Sequence, residues 1–540
     1  MKIAAEKIAG PVAVIGTLLL VFLHVFFATQ AGALWRDEVN SLEVATMRPF
    51  SEMWSNMSFD SFPILFFVLL RLLAGVPAHI SDTELRVYGC VVGLLLIGMI
   101  WLNARWLRLD VPLVSLVVIG FNPMMIRYGD SIRAYGLGMI VMLLSLGAIW
   151  RLTESCTRGR VAFALTSALL SVHTLYYNAV LLFAICMGAV AVSLCARKYK
   201  QSIIILAIGA IAAVSLLPYR SVIKKTEATS FIWKVDFTIV ELWRNLAQTL
   251  GSHSGFALVL CVAVFLLGIG AGLWGLTRKL APENRSRLLF AVVTLLTGAI
   301  GYSIFLLVLS YRTRPWYYVV IIAFVGICLE MIFAALAQKK SILLARAAFA
   351  LLFIGAIAPP TFGTLFFRQT NIDRLAHGLE QHVAPGDLIV LNTWNYGISF
   401  QRYYHGPARF ATVPPIEDLR CHRVDLVKER MVSSEPIAPV LREIEATLRA
   451  GKTVWLVGWL ELLRPGQTPL TLAPGVQTSA GWNGGDFYQA WSEQLGYLLQ
   501  THSKEILRVP LRMEQPVMFY ELLLLHKISG WRDDSLTARS

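Results

Sequence analysis

Charge is what this chain lacks. Only 15% of its 540 residues are Asp, Glu, Lys or Arg, against about 25% in an ordinary soluble domain. A water-soluble chain of this length would form two or more domains, each with a charged shell, and these charges are too few to build them. Cysteine excludes more than it suggests. The seven, Cys90, Cys156, Cys186, Cys195, Cys261, Cys328 and Cys421, lie mostly inside apolar runs, and no pair has metal-ligand spacing. Neither a disulfide framework nor a zinc site is expected. No P-loop and no G-x-G-x-x-G after a strand occurs, nor any internal repeat or low-complexity segment. What the chain has in abundance is apolar sequence, 56% of all residues, in long runs. That points to a polytopic α-helical membrane protein. The net charge of +14 reads as loop charge, because the Lys and Arg residues sit between apolar runs. No nucleic-acid partner is expected.

Lys2 and Lys7 precede an apolar run from about 11 to 28. It exceeds the apolar region of a cleavable signal and predicts an uncleaved anchor with its N-terminus inside. Further runs able to span lie near 86–103, 111–127, 135–150, 161–176, 179–195, 202–218, 256–275, 288–309, 316–336 and 342–359. The segment 62–76 is shorter and contains Arg71. If it does not cross, the loops holding Arg105/Arg108, Arg151/Arg158/Arg160, Arg197/Lys198/Lys200, Arg278/Lys279/Arg285/Arg287 and Lys339/Lys340 all face the cytoplasm, as the positive-inside rule requires. If it crosses, all of them move outside. It is therefore expected to be interfacial or re-entrant. About eleven transmembrane helices follow, in a domain 1–360 whose first outer loop, 30–84, carries interfacial helices.

Pro359-Pro360 marks the expected boundary with an extracytoplasmic domain, 361–540. That tail alternates apolar stretches (387–391, 453–457, 517–522) with helical patterns (372–383, 440–450, 488–500). Such alternation predicts a small α/β domain.

This topology gathers unusual polar residues on the outer face. They are Trp35-Arg-Asp-Glu38, Asp60, Arg127 to Tyr135, His173 to Asn178, Tyr219-Arg220 with Lys224-Lys225, and Tyr311-Arg-Thr-Arg-Pro-Trp-Tyr-Tyr318. Each has a bland reading: loop solvation for Asp37-Glu38, lipid anchoring for Arg312 and Arg314, packing for His173, a local pair with Asp130 for Arg127 and Arg133. But arginines on the outer face oppose the usual charge bias, and an anion should meet them. Phosphate is the natural partner of the guanidinium fork. The chemistry this suggests is transfer from a lipid-linked phosphate: Arg groups hold the phosphate, and a carboxylate at the membrane surface takes the acceptor's proton.

Several short motifs sharpen this reading: Trp35-Arg-Asp-Glu38, Ser61-Phe-Pro-Ile64, Glu84-Leu-Arg86, Tyr128-Gly-Asp-Ser-Ile-Arg-Ala-Tyr135 and His173-Thr-Leu-Tyr-Tyr177. In this order the chain, over about 10–340, resembles the GT-C fold glycosyltransferases of the family 39 type, the protein O-mannosyltransferases and lipid A aminoarabinose transferases. The resemblance implies an inverting transfer of a sugar from a polyprenyl-phosphate donor to an acceptor hydroxyl outside the cytoplasm. It makes Asp37 the catalytic base with Glu38 as acidic neighbour. Arg133, Arg220, Arg312 and Arg314 would bind the donor phosphate. Asp130, Tyr135, His173, Tyr176 and Tyr177 would line the substrate site. Two departures stand out: Asp130-Ser131 replaces the usual Gln-Glu, and Phe62 stands where a His is usual before Pro63. No cofactor is expected, and a divalent metal is not favoured. The expected partners are the donor, membrane lipids and a lipid, glycan or protein acceptor, in a bacterial inner membrane. A lipid-linked glycan flippase or transporter, and an O-antigen-ligase-like transferase using a lipid diphosphate, are the alternative readings.

Overall fold

The structure is a computed structural model that describes residues 2–76, 79–230, 237–251, 255–309, 313–336, 340–475 and 484–533. Among these, nine helices are long and apolar enough to cross a membrane: Ile8–Gln30, Asp82–Trp106, Tyr135–Glu154, Asn178–Cys195, Tyr199–Thr226, Leu258–Leu276, Pro282–Leu309, Pro315–Leu336 and Ile342–Leu365. With the chain's apolar composition, they make this a multi-pass helical membrane protein.

Two of the eleven expected runs take other forms. The run 161–176 becomes a helix of 17 residues, Arg158–Thr174, capped by the Thr157 hydroxyl. The run 111–127 is broken. A helical turn at Leu113–Ser115 passes into a π turn at Leu116–Gly120 and stops at Asn122-Pro123. Pro123 cannot continue the upstream helix, because it lacks an N–H and clashes with the preceding turn. The Asn122 side chain instead starts a new helix, Pro123–Gly129, accepting from the N–H of Met124 at 2.9 Å and Met125 at 3.4 Å. At the other end of the run a buried Glu330 carboxylate accepts from the N–H of Val114 at 2.6 Å and Ser115 at 2.9 Å, and pairs with Arg346.

Both irregular segments still carry the chain from one end of the bundle to the other. Arg108 lies 3.4 Å from Glu154 and 3.0 Å from Glu283, while Arg160 lies 3.6 Å from Glu154 and Lys198 donates to Thr153 O. Tyr135 begins the helix that Glu154 ends, and 20 helical residues rise about 30 Å. The basic loops therefore collect at the end opposite Tyr135.

The ambiguous segment 62–76 forms the helix Ile64–Ala74, whose 11 residues rise about 17 Å, too short to span. Its Arg71 is used locally, donating to Ala45 O at 3.0 Å, Met47 O at 2.5 Å and Arg48 O at 2.8 Å. It so caps the last carbonyl of the helix Arg36–Ala45 and holds the turn that follows.

The tail folds around a five-stranded sheet of β1 (Leu388–Asn392), β2 (Arg409–Val413), β3 (Val454–Gly458), β4 (Ser503–Val509) and β5 (Leu525–Trp531), in the order β2-β1-β3-β5-β4. β1 runs parallel to β2 and β3, and β5 runs antiparallel to β3 and β4. β1 and β3 are buried along their whole length, with the helices Ile372–Glu380, Ala438–Arg449 and Gly484–His502 packed about them. Two expectations shift. Pro359 and Pro360 lie within the helix Lys340–Leu365, which ends about five residues later. The apolar stretch 517–522 forms a turn around Phe519–Glu521, with a single bridge from Val517 to Arg368, and is not a strand. The tail is pinned to the first loop through Asp82, which accepts from Arg402 at 2.7 Å and the Tyr403 hydroxyl at 2.5 Å, while Tyr403 accepts from Leu34 N–H at 2.8 Å.

Candidate functional site

A cavity of about 730 Å³ lies where the first loop, the upper ends of the bundle and the tail meet. Its chemistry starts from the four residues Trp35 to Glu38. Glu38 is fully buried. Its carboxylate accepts a two-pronged fork from Arg86, at 2.7 and 2.9 Å, and the N–H groups of Trp35 at 3.1 Å and Ile132 at 2.9 Å. Arg86 also donates to Gly32 O and Ala33 O, fixing the approach to the helix Arg36–Ala45. Glu38 is thus a structural anchor, and its expected catalytic role is corrected: every oxygen is committed and it does not line the cavity. With Glu38 fixed inward, Asp37 projects about 100° round the helix and lines the cavity. Its side chain, 23% exposed, accepts no hydrogen bond among the described residues; its nearest cation is Arg36 Nε at 3.5 Å.

Arg36 bridges two carboxylates, lying 3.1 Å from Glu521 as well. Burial pushes the Glu521 carboxyl up to about 8, with Arg36 opposing. Arg133 pairs with Asp60, donates to Asp37 O at 2.8 Å and Ser41 Oγ at 2.7 Å, and lies over the Phe62 ring at 4.5 Å. Its Nε is buried with no partner among the described residues. Burial pushes the Asp60 carboxyl up to about 6, against the pull of Arg133 and of Ser41, whose hydroxyl donates at 2.5 Å. Phe62, in place of a histidine, supplies the aromatic face for Arg133.

The facing wall comes from the helix Ile239–Gly251, through Glu241, Arg244, Asn245 and Gln248, and from Thr313 to Tyr317. Asn245 donates to Thr313 Oγ1 at 3.1 Å and Thr249 to Pro315 O at 2.7 Å, so the helix holds this segment and with it Arg314 at the cavity. Stacked Tyr128 and Trp316, 4.9 Å apart, back the cavity, and the Tyr128 and Tyr520 hydroxyls meet at 2.8 Å. Tyr135 and Tyr177 line it beside Tyr317.

The structure thus brings Asp37, Arg133, Arg314, Tyr135 and Tyr177 together. Arg312 lies outside the described residues. Four other candidates are placed elsewhere. Asp130 is 2.7 Å from His24 in a buried pair. That pair fills a notch that needs glycine: a Cβ on Gly93 would lie 2.2 Å from both groups. His173 bonds the Tyr219 hydroxyl at 2.8 Å and Ser215 at 3.1 Å, and Tyr176 packs on Tyr219, which supports Ile64 N–H. Arg220 is exposed and does not line the cavity. The sequence reading missed Arg36, Arg244 and the whole tail wall of Thr393, Trp394, Asn395, His422, Tyr488, Met518 and Tyr520. Arg36 adjoins Asp37 and was within reach of the same motif; the tail residues share no local pattern. Among the described residues no three His, Cys, Asp or Glu side chains converge as metal ligands. In chemical terms, the cavity offers a carboxylate free of hydrogen bonds beside several guanidinium groups.

No family model matches the chain, and no curated protein matches it. Among solved structures it resembles GT-C fold glycosyltransferases. ArnT from Cupriavidus metallidurans bound to undecaprenyl phosphate is 15% identical, with 82% of this chain and 92% of that chain covered and a TM-score of 0.47. The Archaeoglobus fulgidus oligosaccharyltransferase in complex with Zn and sulfate is 14% identical, with 82% and 67% covered and a TM-score of 0.46.

Proposed function

We propose that the protein is a membrane glycosyltransferase that moves a sugar from a polyprenyl-phosphate donor to an acceptor hydroxyl on the extracytoplasmic face of a bacterial inner membrane. The observation that carries this is Asp37: a carboxylate that accepts no hydrogen bond among the described residues, on one cavity with Arg36, Arg133, Arg244 and Arg314. In the reaction the acceptor oxygen attacks the sugar C1 and its proton passes to Asp37. The bond from C1 to the phosphate oxygen breaks on the opposite side, so the configuration inverts. The lipid phosphate leaves with added negative charge, which the guanidinium groups stabilise. Arg133 is pre-aligned for this by Asp60, Ser41 and Phe62, so little reorganisation remains at the moment of reaction.

The test uses the full-length protein with undecaprenyl-phosphate-linked pentoses and hexoses, an envelope extract as acceptor source, and release of undecaprenyl phosphate as readout. Asp37→Asn is expected to slow release by about 100-fold or more, with unchanged melting. Wild-type release from that variant removes Asp37 from the mechanism.

A further inference from the structure

The tail's contribution to the cavity has a topological origin. Thr393 to Asn395 immediately follow β1, and His422 lies between β2 and the helix Val424–Met431. β1 and β2 are parallel neighbours, so both loops leave the same, carboxyl edge of the sheet. In open α/β sheets that edge is where ligands bind.

Two side chains there have unused hydrogen-bonding capacity. His422 Nε2 is buried with no partner among the described residues. The Asn395 carbonyl oxygen accepts from the Thr393 hydroxyl, while its Nδ2 donates to nothing among the described residues. His422 is within electrostatic reach of Asp37, Arg36 and Arg133, so these loops face the reacting groups across the cavity.

The two walls differ in charge. The bundle side carries Arg36, Asp37, Asp60, Arg133, Glu241, Arg244 and Arg314. Among the described residues the tail side adds no Asp, Glu, Lys or Arg: its one imidazole, His422, is pushed down to about 4 by burial and stays neutral. An anion is therefore served by the bundle side, and the tail side discriminates among uncharged groups. Beside the free polar atoms stand the rings of Trp394 and Tyr488, fixed by an indole N–H donating to the phenol oxygen at 3.1 Å. Short hydrogen-bonding groups interleaved with aromatic rings complement a molecule whose surface alternates hydroxyl and C–H, as a pyranose does.

We propose that the loops after β1 and β2 form the acceptor subsite, and that it takes the uncharged terminal sugar ring of a glycan, held by His422 and Asn395 with its attacking hydroxyl toward Asp37. This rests on the transferase reading and names its acceptor class.

The experiment is saturation-transfer NMR on the full-length protein in detergent. The probes are methyl α-mannoside, methyl β-glucoside, methyl β-galactoside and a threonine-containing hexapeptide, with undecaprenyl phosphate affinity measured on the same samples. At least one glycoside is expected to bind, and His422→Leu and Asn395→Ala each to weaken it about tenfold while undecaprenyl phosphate affinity stays within about twofold. If His422→Leu melts early, Asn395→Ala, a change at a half-buried loop position, carries the test. The subsite is overturned if no glycoside binds, if only the peptide binds, or if glycoside binding is unchanged in the variants. Glycoside binding that depends on His422, with no affinity for undecaprenyl phosphate, would leave the subsite standing and remove the donor reading.

Discussion

Adjacent acidic residues on one helix do opposite jobs here. Glu38 is consumed by Arg86 and two backbone N–H groups, and Asp37 meets the cavity. Removing one partner of a buried pair leaves an unpaired charge, so Arg86→Ala should cost about 3–5 kcal/mol, read as a fall in apparent Tm in detergent. Glu521 gives a pH signature. Its folded carboxyl sits at about 8 against an ordinary 4.5, so folding takes up a proton between those values. Stability from the protonated form is complete below about 4.5 and is lost as pH rises through 8. Glu521→Gln should flatten that part of the profile of Tm against pH; an unchanged slope would assign it to another group. The sequence made Asp37-Glu38 conspicuous but could not rank them, since ranking needs the positions of Arg86 and Ile132, 48 and 94 residues away. The same holds for Asp130, whose carboxylate is claimed by His24, 106 residues upstream.

Among elements, the long apolar helices were the most legible, because each buries its backbone polar groups internally and announces itself by length. The broken passage at 113–129 was hidden by that same apolarity, although the Asn122-Pro123 dipeptide is a recognised stop and start. Asn122→Ala removes the cap of the new helix and should cost about 1 kcal/mol, measured by thermal unfolding. A larger loss would show that its bond to Thr249 O, at 2.8 Å, also matters. In the tail, β1 and β3 were readable as continuous apolar runs because both are buried throughout. The edge strand β4 exposes much of its length and β2 is only partly buried over its first residues, so both lack that mark. The stretch 517–522 is apolar for another reason: it turns Met518 and Tyr520 onto the cavity.

At the scale of the whole molecule, the basic loops cluster at the end away from the cavity, around Glu154 and Glu283. With the orientation proposed above, a tag after Ser540 should be labelled only from outside, and one between Arg197 and Lys200 only after the membrane is opened. The reverse pattern would invert the assignment of faces. That a cavity would form at the end away from the basic loops was legible in the arginines Arg133 and Arg314 placed there. That one wall of it would come from the tail was not, since loops far apart in sequence converge only once the sheet is built. This shared construction separates two inheritances. The guanidinium groups proposed to hold the phosphate are anchored on the bundle side, while one wall of the chamber hangs from a module with a core of its own. Drift in the loops of that module can retune which molecules are admitted without disturbing the guanidinium groups opposite, so close relatives could keep one chemistry while diverging in what they modify.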